Sequence, residues 1–211
     1  LLQELLEPDS VVAISGGSTM AAVAEEMPIL PFNPTVVPAR GGVGAVVEYQ
    51  ANVIASVLAE RLRGTYKMLH LPDGLSQDSL HMLMTCEPQI KEISDLISRT
   101  DVLLFGIGTA MHMADQRHIA DEVRKQLVDN HAVGEALGQY CDMDGKLIYS
   151  TNNIGLSLPD VAKVPNVIAV AGGQEKASAI IGVMRACQKG ILIIDEQAAE
   201  GMRQLLQISA L

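Results

Sequence analysis

Four short apolar runs, each emptying into a loop and then a helical stretch, constrain this chain more than any other feature. Val11-Val12-Ala13-Ile14, the Val102-Leu103-Leu104-Phe105 that follows Asp101, Val167-Ile168-Ala169-Val170 and Ile191-Leu192-Ile193-Ile194 contain no polar residue. Neither face of such a strand can be left to water, and strands buried on both faces belong to parallel sheets covered by helices. Thr35-Val36-Val37-Pro38 reads as a further short strand. The recurring order strand, loop, helix, without the internal repeat of a solenoid, predicts a doubly wound, mostly parallel α/β sheet of Rossmann-like type. In such a sheet the loops at the carboxyl ends of the strands share one edge. Those at Gly16, Arg40, Gly106 and Gly172 are therefore expected to converge on one crevice.

The remaining elements follow from spacing. Residues 45–63 are expected to form one long helix, with Val47, Ile54, Leu58 and Leu62 on its apolar face, Arg61 and Arg63 in its last turn and Gly64 as a left-handed cap. A strand is expected over 65–71, ended by Pro72-Asp73-Gly74, and helices near 79–84, 88–98, 119–128 and 196–207. Asp144-Gly145 between two β-prone runs predicts a hairpin over 139–149, a small antiparallel decoration on the main sheet. Residues 1–8 read as the end of a linker helix stopped by Pro8, and 9–211 as one ligand-binding domain.

Composition then removes whole classes of function. The 211 residues carry a formal charge of −10, whereas affinity for nucleic acid needs a lysine and arginine surplus to neutralise phosphates. No apolar run approaches a membrane span and the first residues lack the basic flank of a signal peptide, so a cytoplasmic protein with no membrane partner is expected. The chain opens on Leu inside an amphipathic stretch and is read as a piece of a longer protein. Cys86, Cys141 and Cys187 have no metal-ligand spacing and suit small buried thiols in a reducing compartment. The five histidines form no HExxH pair, and none lies in a serine or cysteine triad motif, so neither a metal nor another cofactor is expected.

The first apolar run ends at Ser15-Gly16-Gly17-Ser18-Thr19, directly before an alanine-rich helix over 20–26. Two glycines let the backbone come close to a ligand, and the two hydroxyls lie where a helix begins with unpaired N–H groups and the positive end of its dipole. That is a phosphate seat, although strand, Gly-Gly turn and helix also serve as a plain connector. The lysine of a P-loop is missing, which argues against a nucleoside triphosphatase.

Other candidates stand near the same kind of turn. Arg40, set among glycines after a strand, has the reach to hold a phosphate, or is a solvated loop arginine. Lys176 follows Gly172-Gly173 at a helix start, where a cation is unfavourable unless an anion sits nearby. Arg117 lies in the polar stretch Asp115-Gln116-Arg117-His118 and reads more simply as solvated charge. Glu135 in Val133-Gly134-Glu135 can accept hydrogen bonds from sugar hydroxyls or be a surface carboxylate. Gln50, in the first turns of the long helix, faces either the crevice or solvent.

With these residues in view, the chain resembles the sugar-binding domain of the SorC/DeoR-type bacterial transcription regulators, and among them the regulators of glycolytic genes. The segments that carry the likeness are 14–24, 37–44 with Gln50-Ala51-Asn52, Phe105-Gly106-Ile107-Gly108, Ala132-Val133-Gly134-Glu135 and 170–177. The resemblance implies a fold related to glucosamine-phosphate deaminase and ribose-phosphate isomerase without their activity, and an N-terminal helix-turn-helix, absent from this chain, through which operator DNA is bound. It implies a phosphosugar effector, fructose 1,6-bisphosphate in the glycolytic branch, and a homo-oligomer, dimer or tetramer. It further implies that Gly16, Gly17, Ser18, Thr19 and Lys176 hold phosphate, that Arg40, Gln50 and Arg117 help at the two ends, and that Glu135 binds hydroxyls. Many relatives have Asp where this chain has Glu135, a longer reach. The competing function is a sugar-phosphate isomerase or deaminase of the same superfamily, for which Glu135 is the one plausible base and has no obvious partner.

Overall fold

The computed structural model describes residues 1–42, 46–72 and 74–207. In chain order its elements are α1 (Leu2–Leu5), β1 (Val11–Ile14), α2 (Ser18–Glu25), β2 (Thr35–Pro38), a 3-10 turn (Val47–Tyr49), α3 (Ala51–Arg61), β3 (Thr65–Tyr66), α4 (Gln77–Cys86), α5 (Pro88–Ser98) and β4 (Val102–Gly106). There follow β5 (Gly108–Thr109), α6 (Ala110–Gln116), α7 (Asp121–Asp129), β6 (Gly134–Ala136), β7 (Gln139–Cys141), β8 (Leu147–Ser150), a 3-10 stretch (Leu158–Lys163), β9 (Asn166–Ala171), a 3-10 turn (Gln174–Lys176), α8 (Ala177–Cys187), β10 (Ile191–Ile194) and α9 (Glu196–Leu205). The strands form a six-stranded sheet, ordered β10-β9-β4-β1-β2-β3, and a four-stranded sheet, ordered β5-β6-β7-β8. The recorded pairings of the larger sheet are parallel and those of the smaller one antiparallel. The doubly wound α/β architecture expected from the apolar runs is the one observed. The antiparallel part is larger than a hairpin, because Gly108-Thr109 and Gly134-Glu135-Ala136 add two strands whose residues have little strand preference of their own.

The chain gathers into two compact units, one comprising residues 1–105, 151–156 and 163–167, the other 106–150, 157–162 and 168–211. In the first, β1 pairs with β2 on one side and β4 on the other, so that Ile14 lies level with Pro38 and Leu104. Val12, Ala13, Ile14, Val36, Val37, Leu103 and Phe105 are all buried, as strands without a polar face require; the equally apolar β10 departs from that expectation, because it is the edge strand of the sheet and leaves Ile191 and Ile193 exposed. The chain runs outward from β1 through β2 to β3 and then returns to lay β4 against the other edge of β1. That reversal of strand order is the place where open α/β sheets bind ligands, outside the carboxyl ends of the strands.

The long helix is shorter than its apolar spacing suggests. Ala45 lies outside the described residues, Val47–Tyr49 is a 3-10 turn, and Gln50 is extended (φ −72°, ψ 136°) as the N-cap of α3. Val47 is exposed rather than part of the apolar face. The helix ends as a Schellman motif: Gly64 N donates to Ala59 O and Arg63 N to Glu60 O. The left-handed residue is Arg63 (φ 52°), not Gly64. Gly64 is needed for space, since a Cβ there would stand 2.1 Å from Pro34 O.

The strand expected over 65–71 stops at Tyr66 for an equally local reason. After Lys67 N bonds Val36 O, the buried side chain of Asn52 takes over the backbone of Leu69, accepting from its N at 2.9 Å and donating to its O at 3.1 Å. Of the turn expected beyond Leu71, Asp73 lies outside the described residues, and so do Val43 and Gly44 of the loop after β2. Pro88–Ser98 is helical as expected, and α4 extends its expected range at both ends.

In the second unit Ala110, Ala114, Leu127 and Tyr140 form a core, with Met111, Met113, Ile148 and Tyr149 packed on it. The hairpin at Asp144-Gly145 joins β7 to β8 as expected, and a second one joins β6 to β7 through Leu137-Gly138, both at positive φ (52° and 77°), the geometry of a primed two-residue turn. Helix α6 was not legible in the polar stretch before His118, and the expected helix over 119–128 begins only at Asp121. The expectation of three buried thiols fails at Cys86, which is exposed; Cys141 and Cys187 are buried. Burial pushes both of those thiols up to about 12, with Asp142 and Glu135 adding to the effect at Cys141. No helix among the described residues is long and apolar enough to cross a membrane.

Candidate functional site

In the first unit the loop expected to seat a phosphate, Gly16-Gly17-Ser18-Thr19, lies at the end of β1. Ser15 N donates to Leu104 O at 2.9 Å, and Gly17 N to Tyr49 O at 2.9 Å. A Cβ on Gly16 would lie 2.8 Å from that same Tyr49 O, so only glycine lets the loop sit against residues 49–51. Gly17 (φ 113°, ψ 155°) is the N-cap of α2 and supplies no side-chain cap. The helix begins at Ser18 rather than Met20, which places both hydroxyl residues in its first turn. Its first intrahelical bond runs from Ala21 N to Gly17 O, so the amides of Ser18, Thr19 and Met20 precede the helical ladder and have no acceptor among the described residues. The first turn carries no acidic residue. Three amides, two hydroxyls and the positive helix end together favour an anion.

Two further candidates of the first unit stand beside this seat or on the neighbouring strand. Gln50 adjoins the Tyr49 carbonyl that holds Gly17. Arg40 follows β2, where Ala39 N donates to Ile14 O at 2.8 Å. It is 8% exposed, which overturns the solvated-loop reading. Its Nη2 donates to Thr151 Oγ1 at 2.8 Å, and residues 39–41 are zipped to 154–156 by Gly41 N to Ile154 O and Leu156 N to Ala39 O. Arg40 also forms an isolated antiparallel bridge with Gly155. The guanidinium is thus held in place by a chain segment more than a hundred residues away.

In the second unit Glu135 is 3% exposed, not a surface carboxylate. It lies opposite Gly108 on β6, and its Oε1 accepts from Gly138 N at 2.6 Å and from Arg117 Nη2 at 3.1 Å. Arg117 is the C-cap of α6, with a side chain 21% exposed, so it is partly buried rather than plain solvated charge. The two bonds fix the carboxylate in one orientation. Lys176 stands on a different element, the turn between β9 and α8. It is half-exposed, with no ion-pair partner among the described residues, and its own N donates to Gly173 O at 3.1 Å.

Sequence reasoning missed two residues that hold these groups or their turns: Thr151, which receives Arg40, and Asp195, which receives Gly173 N. Asp195 accepts from Ala198 N at 2.8 Å as the cap of α9, and an Asp between an apolar run and a helical stretch is a readable capping signal. Thr151 left no trace, because nothing local marks the far end of a long-range pair. Among the described residues no cluster of His, Cys, Asp and Glu could hold a metal ion.

A mostly parallel sheet with a glycine-edged loop at its order reversal, and a small antiparallel sheet carrying a buried, oriented carboxylate, define the α/β fold of this chain. The chain belongs to the family of sugar-binding domains of SorC/DeoR-type transcriptional regulators: the family model described as "Putative sugar-binding domain" matches residues 1–204. It is 40% identical over 193 residues to the central glycolytic genes regulator of Bacillus subtilis, covering 90% of this chain and 56% of that protein. The regulator of the same name from Priestia megaterium is 40% identical over 200 residues, covering 94% of this chain and 58% of that one. The chain thus spans somewhat over half the length of these relatives. Among solved structures, a "putative SorC family transcriptional regulator" from Enterococcus faecalis superposes with a TM-score of 0.86 at 39% identity, covering 94% of this chain and 81% of that one. The full-length sorbitol operon regulator of Klebsiella pneumoniae shares the fold, with a TM-score of 0.83 at 23% identity over 95% of this chain and 67% of that one.

Proposed function

We propose that this domain senses a phosphorylated sugar, fructose 1,6-bisphosphate foremost, as the effector-binding part of a bacterial repressor of glycolytic or sugar genes. The observation that carries the reading is the head of α2, where three amides have no acceptor among the described residues and no side chain caps the helix, at the point where the strand order reverses. In this reading Gly16, Gly17, Ser18, Thr19 and Lys176 take phosphate, Arg40, Gln50 and Arg117 assist at the two ends, and Glu135 accepts from sugar hydroxyls. No cofactor takes part.

The bound effector favours one arrangement of subunits in a homo-oligomer, dimer or tetramer, and so alters operator binding by an N-terminal DNA-binding domain. The likeness to two regulators of central glycolytic genes supports this assignment, and so does the charge of −10, which leaves DNA to another part of the protein. The site of action is the cytoplasm. A binding module is favoured over an isomerase or deaminase because Oε1 of Glu135 already accepts two hydrogen bonds, an arrangement that orients a carboxylate rather than readies it as a base.

The test is a thermal melt with fructose 1,6-bisphosphate, its monophosphates and inorganic phosphate, beside an assay for turnover. Ligand at about a hundred times its Kd adds roughly 2.7 kcal/mol, which for a domain of this size raises Tm by about 5–10 °C. A bisphosphate that moves the melt no further than inorganic phosphate refutes the assignment, and conversion of any sugar phosphate favours the enzyme.

A further inference from the structure

Resting on that reading, we infer that Asp195 is a positioning residue for the anion-binding turn that carries Lys176, and that it does this at an electrostatic cost. Three observations within the second unit converge on it. Both carboxylate oxygens accept from Gly173 N, Oδ2 at 2.9 Å and Oδ1 at 3.2 Å. The carbonyl of Gly173 in turn accepts from Lys176 N at 3.1 Å, so Gly173 is held at both ends, and the turn that presents Lys176 is closed on a residue whose amide the carboxylate fixes. Gly173 sits at φ 97°, a conformation that a free chain does not hold by itself.

The packing around the turn is shaped to this carboxylate. A Cβ on Gly172 would lie 2.7 Å from Asp195 Oδ2, so the carboxylate occupies the space that a side chain at 172 would need. On α9, a Cβ at Gly201 would lie 2.9 Å from Ala177 Cβ and 3.1 Å from Gln174 O, so helix and turn meet closely on the same side. Asp195 caps that helix through Ala198 N. One carboxylate thereby joins the start of α9 to the start of the Lys176 turn, and β9 and β10 bring the two starts level, Ala171 opposite Ile194.

A negative charge beside a turn that receives an anion opposes binding by Coulomb repulsion. Charge and geometry therefore make opposite demands, and this gives the experiment a sign. Asp195→Asn keeps a capping oxygen for Ala198 but removes the charge and sets an amide donor against the Gly173 donor. Gly172→Ala keeps the charge and displaces the carboxylate. Titration of fructose 1,6-bisphosphate is expected to weaken about tenfold in each variant, the fold-change of one lost charge-assisted hydrogen bond. Because both remove the same contact, the double variant is expected to lose little more than either single one.

In the unaltered protein the Gly173 amide is expected to exchange more slowly with solvent than the neighbouring exposed amides. This readout depends on no variant folding. Affinity unchanged or improved in Asp195→Asn overturns the inference, as do additive losses in the double variant or a freely exchanging Gly173 amide. Lys176→Ala run in parallel separates the two claims. If it leaves affinity intact, the phosphate reading of this turn fails, whereas loss there with full affinity in Asp195→Asn and in Gly172→Ala overturns the role of Asp195 alone.

Discussion

Gly16→Ala is the perturbation that most cleanly joins packing to binding. A Cβ at this position meets Tyr49 O at 2.8 Å and Ala51 N at 3.3 Å. Both are backbone atoms, so the contact cannot be relieved by a side-chain rotation and the loop must part from residues 49–51. Overpacking of this kind costs about 1–3 kcal/mol, and the bond from Gly17 N to Tyr49 O, worth roughly 1 kcal/mol net, stretches with it. A total near 2–3 kcal/mol lowers Tm by about 5–10 °C in a domain of this length. The same displacement tilts the amides of Ser18, Thr19 and Met20, so affinity for fructose 1,6-bisphosphate is expected to fall about tenfold or more, one lost anchoring hydrogen bond or its equivalent.

The control is Gly64→Ala, where a Cβ would stand 2.1 Å from Pro34 O. Gly64 lies beside the start of β2, opposite the end that leads to Arg40, so this variant is expected to lose as much stability yet keep full affinity wherever it is folded. Urea melts give the stability of each variant and calorimetry its affinity. Gly16→Ala with wild-type affinity, or Gly64→Ala with the same binding loss, would refute the reasoning that the fit of Gly16 against Tyr49 shapes the seat.

Three other outcomes follow from single contacts. Arg117→Leu leaves the buried Glu135 carboxylate with Gly138 N in place of a cation; an unpaired buried charge costs about 3–5 kcal/mol, discounted here to roughly 1–3 because Arg117 is partly exposed, and an unaltered urea midpoint would show the pair to be idle. Thr151→Val removes the hydroxyl that receives Arg40, so affinity is expected to drop several-fold with little loss of stability, and an unchanged Kd would detach Thr151 from the site. Iodoacetamide at pH 8 is expected to label Cys86 alone in the folded protein. Thiols raised to about 12 by burial are almost wholly protonated at that pH and gain thiolate only as pH approaches 12; three labels at equal rates would contradict the burial.

How far the sequence foretold this protein depends on the range of the forces involved. The strands β1, β4 and β9 were legible because an unbroken apolar run is driven into the interior, whereas β10, just as apolar, was legible as a strand but not as the half-exposed edge it forms. The seat at Gly16 was legible because strand, paired glycines and helix are adjacent in the chain. What escaped was set by distant partners. The break at Gln50 shows only once Gly17 and Tyr49 are seen to bond, and the early end of β3 depends on Asn52 reaching Leu69. The buried state of Arg40 depends on Thr151 and Gly155, and that of Glu135 on a four-stranded sheet whose first two strands carry hardly any strand signal. Helix α6, only seven residues long, is too short for its spacing to be read. Arg63 took the left-handed position expected of Gly64 because close approach to Pro34, not backbone freedom, was what Gly64 had to provide.

The central claim is that the head of α2 grips phosphate with its own backbone, and amide resonances report on that directly. In an isotope-labelled sample titrated with fructose 1,6-bisphosphate, the amides of Ser18, Thr19 and Met20 are expected to show the largest downfield shifts. The same three should move less with inorganic phosphate and stay still with unphosphorylated fructose. Saturable binding of the bisphosphate that leaves those three amides unmoved would contradict the account.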